Sequence, residues 1–147
     1  MKLGTAKGLF EDLIIETDNR SEIKVYESFI GIISELENRE FDADELEDIE
    51  YNLDTLGLHS VQDNRKKFYK KNLGEFKKYL KDEFSLITEG YYTALGIALG
   101  LAFGMIFGSA IGVSNGLMFG MLIGLAIGAS KDSEAKKQKR VLRTTVS

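Results

Sequence analysis

The residues able to do chemistry are few, and their spacing does not assemble a reaction centre. His59 is the single histidine in a chain of 147 residues. It follows Gly57-Leu58, in a joint between two predicted helices, and no cysteine occurs anywhere in the chain. A lone imidazole without a thiolate or a second imidazole makes neither a metal site nor a nucleophile–base pair. The lack of cysteine also excludes a disulfide framework. Asp42, Asp44, Glu45, Glu47, Asp48 and Glu50 form a dense carboxylate run of the kind that holds calcium. An EF-hand loop needs glycine at its sixth position for the turn, and Glu47 stands there. The run therefore reads as a solvated helix face. No phosphate-cradling glycine loop is followed by the Lys-Ser/Thr it requires. No Ser-His-Asp set or carboxylate pair emerges. These patterns lead to the expectation of a non-enzyme with no metal and no cofactor.

The remaining reactive groups are cations. Lys67, Lys70, Lys71, Lys77, Lys78 and Lys81 fall on one face of a predicted helix. Lys131, Lys136, Lys137, Lys139, Arg140 and Arg143 crowd the C-terminal residues. Such clusters attract phosphate, whether of nucleic acid or of lipid headgroups. No nucleic-acid motif accompanies them. Anionic headgroups are the expected partner, because of what lies between the two clusters.

The 41 residues from Gly90 to Ser130 carry no charge. The averages of the whole chain hide this block: mean hydropathy is −0.13 and formal net charge −4. Residues 1–60 hold 16 acidic against 5 basic side chains. Residues 61–90 and 131–147 are both net basic. A bilayer core of about 30 Å takes roughly 20 helical residues, so 41 residues are too long for one span and suit two antiparallel ones. The polar pair Ser114-Asn115 places the tip within 113–116, with Ser109-Ala110 as the alternative. The helices are then about 91–112 and 116–130, the second short for a full span. A buried hairpin in a soluble protein is the competing reading. Ninety amphipathic residues cannot cover two helices that are apolar all round.

Within the block, Gly96, Gly100, Gly104, Gly108, Gly112, Gly116, Gly120, Gly124 and Gly128 recur every four residues. In lipid, helices gain little from simple burial and much from the close approach that small residues permit. Each step of four advances about 40° around the helix, so the stripe winds. Part of its arc is then expected to remain free for another hairpin, which predicts a homo-oligomer. The pattern resembles the glycine-zipper motif of close-packed membrane helices, over Gly96 to Gly128. That resemblance implies membrane packing, of the kind seen in channels, pore-forming toxins and small bacterial membrane proteins. It implies no single activity.

Basic residues on both flanks and none at the tip predict that both termini lie in the cytoplasm, with the hairpin in the cytoplasmic (inner) membrane. No signal-peptide pattern precedes Glu11 and Asp12. Lys77, Lys78, Lys81, Lys131, Lys136 and Lys137 are the expected interface anchors, joined by the aromatic rings of Tyr91 and Tyr92. Residues 84–88 are read as an elbow at the headgroups.

The preceding residues carry helical periodicity. Leu3, Ala6, Phe10 and Leu13 mark a first helix over 3–16. Asn19, with Glu22 three residues on, starts a second that runs to about Asn38 on Ile23, Tyr26, Ile30 and Ile33. A strand over 23–33 is the alternative, less consistent with that spacing. Asp42 and Glu45 open a third helix on Leu46, Ile49, Leu53 and Leu56, closed by Gly57. Ser60 opens a fourth, with Val61, Phe68, Leu73, Phe76, Leu80, Phe84 and Ile87 inward.

The expected protein is all-α. It has a helical cytoplasmic domain over 1–88, a hairpin over 89–130 and a basic tail over 131–147. The leading function is a self-associating membrane scaffold, adaptor or regulatory subunit with a cytoplasmic or membrane protein partner. An oligomeric pore of the toxin or defence type is the second reading. An immunity or accessory protein of a larger membrane partner is the third.

Overall fold

The computed structural model describes residues 1–60 and 63–144. Its elements are helices α1 (Leu3–Ile15), α2 (Arg20–Glu37), α3 (Ala43–Thr55) and α4 (Arg65–Phe84), strand β1 (Ile87–Thr88), helices α5 (Tyr91–Ile111) and α6 (Val113–Lys137), and strand β2 (Val141–Leu142). The chain is all-α apart from the two-residue strands, which pair as a two-stranded sheet. It divides into two compact units. One is Met1–Leu86 with the segment that begins at Leu142, and the other is Ile87–Val141.

The first unit is a helical domain around aromatic rings. Phe10 of α1 stacks on Phe29 of α2 with centroids 4.2 Å apart, and Tyr69 of α4 meets Tyr26 edge-on at 5.3 Å. Such pairs add to the burial of the rings themselves. Residues 23–33 are helical, so the strand alternative fails. The reason lies in α2, where Tyr26, Phe29, Ile30 and Ile33 are buried at helical spacing. Val25 and Ile32, off that stripe, are buried as well, so α2 is covered on more than one side.

The helix ends follow local chemistry. At α3 the Asp42 carboxylate accepts from the Glu45 amide at 2.8 Å, and the Glu45 carboxylate accepts from the Asp42 amide at 3.0 Å. This is the reciprocal box expected from the sequence. At α2 the box is incomplete. Asn19 accepts from Ser21 N, while Glu22 accepts from the Thr17 hydroxyl. Gly57 takes φ +60° after α3, and Leu58 is buried behind it. Helix α4 begins at Arg65 rather than at Ser60, because the Asn64 side chain accepts from Lys67 N and caps it there. Val61, expected on its apolar face, lies outside the described residues. Ile87 belongs to β1 rather than to α4, since Ser85 adopts a left-handed conformation (φ 55°) that ends the helix. The expected elbow is thus a left-handed turn followed by a strand.

The second unit is the hairpin of α5 and α6. Its turn is the single residue Gly112, at φ 95° and ψ 133°, a conformation that side chains rarely adopt. The turn therefore lies one residue before the expected 113–116, at the end expected for α5, and not at Ser109-Ala110. Ser114 and Asn115 sit in the first turn of α6, where the Asn115 amide donates to Ile111 O at 3.3 Å. Helix α6 also continues past Ser130 to Lys137. Its uncharged stretch is consequently Val113–Ser130, 18 residues or about 27 Å, and the expected shortfall shrinks.

Candidate functional site

The seam of the hairpin is made of backbone. Gly96, Gly100 and Gly104 of α5 stand opposite Gly124, Gly120 and Gly116 of α6. A methyl group added at Gly96 would fall on the carbonyl of Gly124, and one at Gly100 on the carbonyl of Gly120. Gly108 faces Val113 Cα, and Gly128 faces the backbone of Tyr92 and Thr93. No side chain longer than hydrogen fits at these places without moving a helix. A repeat longer than 3.6 residues stays in one contact only if the helices wind around each other in the right-handed sense. The glycines of α5 from Gly96 to Gly108 all meet α6, so the arc expected to stay free for a neighbour is occupied within the hairpin. The large side chains point outward instead. Phe107 and Ile106 are each 66% exposed, and Leu99, Met118 and Ile123 are exposed as well. The two helices, of 21 and 25 residues, are long and apolar enough to cross a membrane.

On one side of the seam the glycine backbone forms the floor of an apolar groove of about 500 Å³. Its walls are Leu99, Phe103 and Phe107 of α5 and Phe119, Ile123 and Ile127 of α6. Four-residue spacing produces these walls, just as it produces the floor. Each wall residue lies one position before a glycine of the four-residue series, so one period writes both.

The base of the hairpin is polar. Helix α5 starts after Gly90, which has no side chain to cap it. Asp132, 40 residues beyond Tyr92, supplies the cap from α6. Its carboxylate accepts from Tyr92 N at 2.9 Å, from Thr93 N at 2.8 Å and from the Thr93 hydroxyl at 2.5 Å. Helix N-termini carry partial positive charge and unpaired N–H groups, so a carboxylate is favourable there on both counts. Sequence reasoning missed Asp132. Its signal was faint: an acidic residue just inside a basic run, opposite a helix that opens on glycine.

The expected anchors are placed as follows. Tyr91 and Tyr92 open α5 with their rings edge-on at 5.2 Å, and Lys131 Nζ lies 5.8 Å from the Tyr92 ring centroid. Lys131, Lys136 and Lys137 are exposed on α6 itself rather than in a tail after the hairpin. The last two sit in its final turn, where cations complement the helix dipole. Lys78 is exposed on α4, and Lys81 meets Asp82 at 3.5 Å. Lys77 is half-buried, and that burial pushes its ammonium pKa down from the ordinary lysine value. His59 is exposed, and among the described residues no group of three His, Cys, Asp or Glu side chains is placed to hold a metal ion. No protein-family model, curated protein or solved structure matches the chain.

Proposed function

We propose that this chain is an integral protein of the cytoplasmic membrane whose glycine-zipper hairpin spans the bilayer and displays the N-terminal helical domain as a scaffold, adaptor or regulatory subunit. The observation that carries the reading is the inverted packing of the hairpin. Backbone faces backbone inside, and bulky apolar side chains face out, which suits lipid and opposes water. Both ends of the hairpin lie on one side of the membrane in this reading. The bond from Ile87 N to Arg140 O, at 2.9 Å, supports that, because it joins the chain entering the hairpin to the chain leaving it. The basic residues of α4 and of the last turns of α6 favour the cytoplasmic side and contact with anionic headgroups.

Self-association belongs to the proposal on a different basis from the free glycine arc. Ridges of Leu99, Phe103 and Phe107 repeat every four residues beside a groove of the same period, so a second hairpin can seat a ridge in that groove. The pore reading is weaker. The seam of one hairpin is closed by backbone contact, and residues 90–130 contain no ionisable group to guide an ion other than the two tyrosines at the base.

The test is extraction with alkaline carbonate, followed by protease protection in sealed vesicles. The chain should stay with the membrane, with both termini cut from the cytoplasmic face only. Release by carbonate, or cleavage of the two termini from opposite faces, overturns the reading.

A further inference from the structure

Two core leucines of the N-terminal domain flank the hairpin. Leu86 is buried just before it, and Leu142, 1% exposed, just after it. Both belong to the hydrophobic cluster that holds Phe10, Phe29, Ile33 and Phe76. The domain is therefore discontinuous: its core is completed by a residue that the chain reaches only after the 55 residues Ile87–Val141.

Beyond Leu142 the backbone lies on α2. A Cβ at Gly31, in the middle of that helix, would stand 2.9 Å from Arg143 O and 2.9 Å from the carbonyl carbon of Thr144. This is backbone against backbone, so neither partner yields cheaply. Glycine inside a helix is unfavourable relative to alanine, and this close approach accounts for it. By contrast, a methyl group added at Gly8 in α1 or Gly74 in α4 would meet nothing within 4 Å. Gly31 is thus shaped as a seat for the returning chain.

Closing a loop of this length carries an entropic cost when the loop is unstructured. A closed hairpin removes that cost in advance. Asp132 binds the start of α5, and Arg140 O binds Ile87 N, so the chain is brought back before Leu142 must find its place. We propose that Leu142–Thr144 is a latch through which closure of the hairpin completes the N-terminal domain. By linkage, an engaged latch favours the closed hairpin to the same extent. This coupling is a property of the chain in micelles or bilayer alike, and so it stands apart from the membrane and self-association readings.

Hydrogen exchange on the full chain in detergent micelles tests it, read at the α2 amides of Ile30–Ile33. Leu142→Ala should raise their exchange about tenfold or more, and Leu142→Val should raise it less in the same direction. The decisive variant is Gly104→Leu, which alters the hairpin seam and the groove beside it and touches no residue of the N-terminal core. It should raise exchange at the same α2 amides, and it should add nothing in the Leu142→Ala background. Asp132→Ala, which frees the base of the hairpin, provides a second perturbation with the same expectation. The latch is overturned if either hairpin variant loosens α5 and α6 while α2 exchange stays unchanged. It is equally overturned if their effects on α2 persist in full without Leu142.

Discussion

Tyr26 is a core residue at odds with its surroundings. Its ring is buried among Phe10 and Tyr69, yet its hydroxyl has no hydrogen-bond partner among the described residues. Burial pushes its phenol up to about 12, helped by the nearby Glu22 carboxylate. The raised value means that the folded state holds the proton more tightly than the unfolded chain. Stability from this group is full below pH about 10 and declines as pH rises toward about 12, by on the order of 2 kcal/mol. Tyr26→Phe should leave stability at neutral pH unchanged or slightly higher and shift alkaline unfolding to higher pH, as followed by circular dichroism. An unchanged alkaline profile would count against the buried phenol as its cause. Spacing marked Tyr26 as a core residue, but no local pattern announces an unpaired hydroxyl. Asp132 makes the same point in reverse, because its partners Tyr92 and Thr93 are near in space and far in sequence.

At the scale of elements, one residue type has two opposite meanings. Gly74 lies within α4 with open space around it, whereas Gly100 lies in a seam where a methyl would strike the Gly120 backbone. Gly74→Ala should stabilise the N-terminal domain by about 0.5–1 kcal/mol, since alanine restricts the unfolded chain and favours helix. Gly100→Ala should instead destabilise the hairpin, despite the same gain in propensity. Thermal unfolding of the domain and detergent-gel mobility of the hairpin separate the two. Equal effects from both substitutions would mean that the seam tolerates a methyl group. The helices themselves were legible from periodicity, and the α3 box from Asp42 and Glu45. The starts of α4 and α6 were not. Ser60 and Asn64 are both good caps by type, and Ser114-Asn115 looks like a turn by type. The Asn64 side chain is the one that caps α4, through the amide of Lys67, and Gly112 is the residue that can adopt the backbone angles of the turn.

At the scale of the molecule, a discontinuous domain interrupted by a hairpin of spanning length predicts more than anchorage. Under the proposed topology, vesicles loaded with dye and reconstituted with the full chain should stay tight, because each hairpin seals its own seam. Leakage that Gly100→Leu abolishes would favour the pore reading instead. Taken by itself, the sequence determined the class of the protein: an acidic helical region, an uncharged block of spanning length and a four-residue glycine period. These are legible because burial, charge and helical repeat are local properties of a chain. The tertiary structure alone decided how much of the glycine stripe the hairpin itself uses, where the hairpin turns, which carboxylate caps α5 and that Leu142 belongs to the core of a domain begun at the other end of the chain. Each of these depends on which distant backbone comes within contact distance, and periodicity carries no information about that partner.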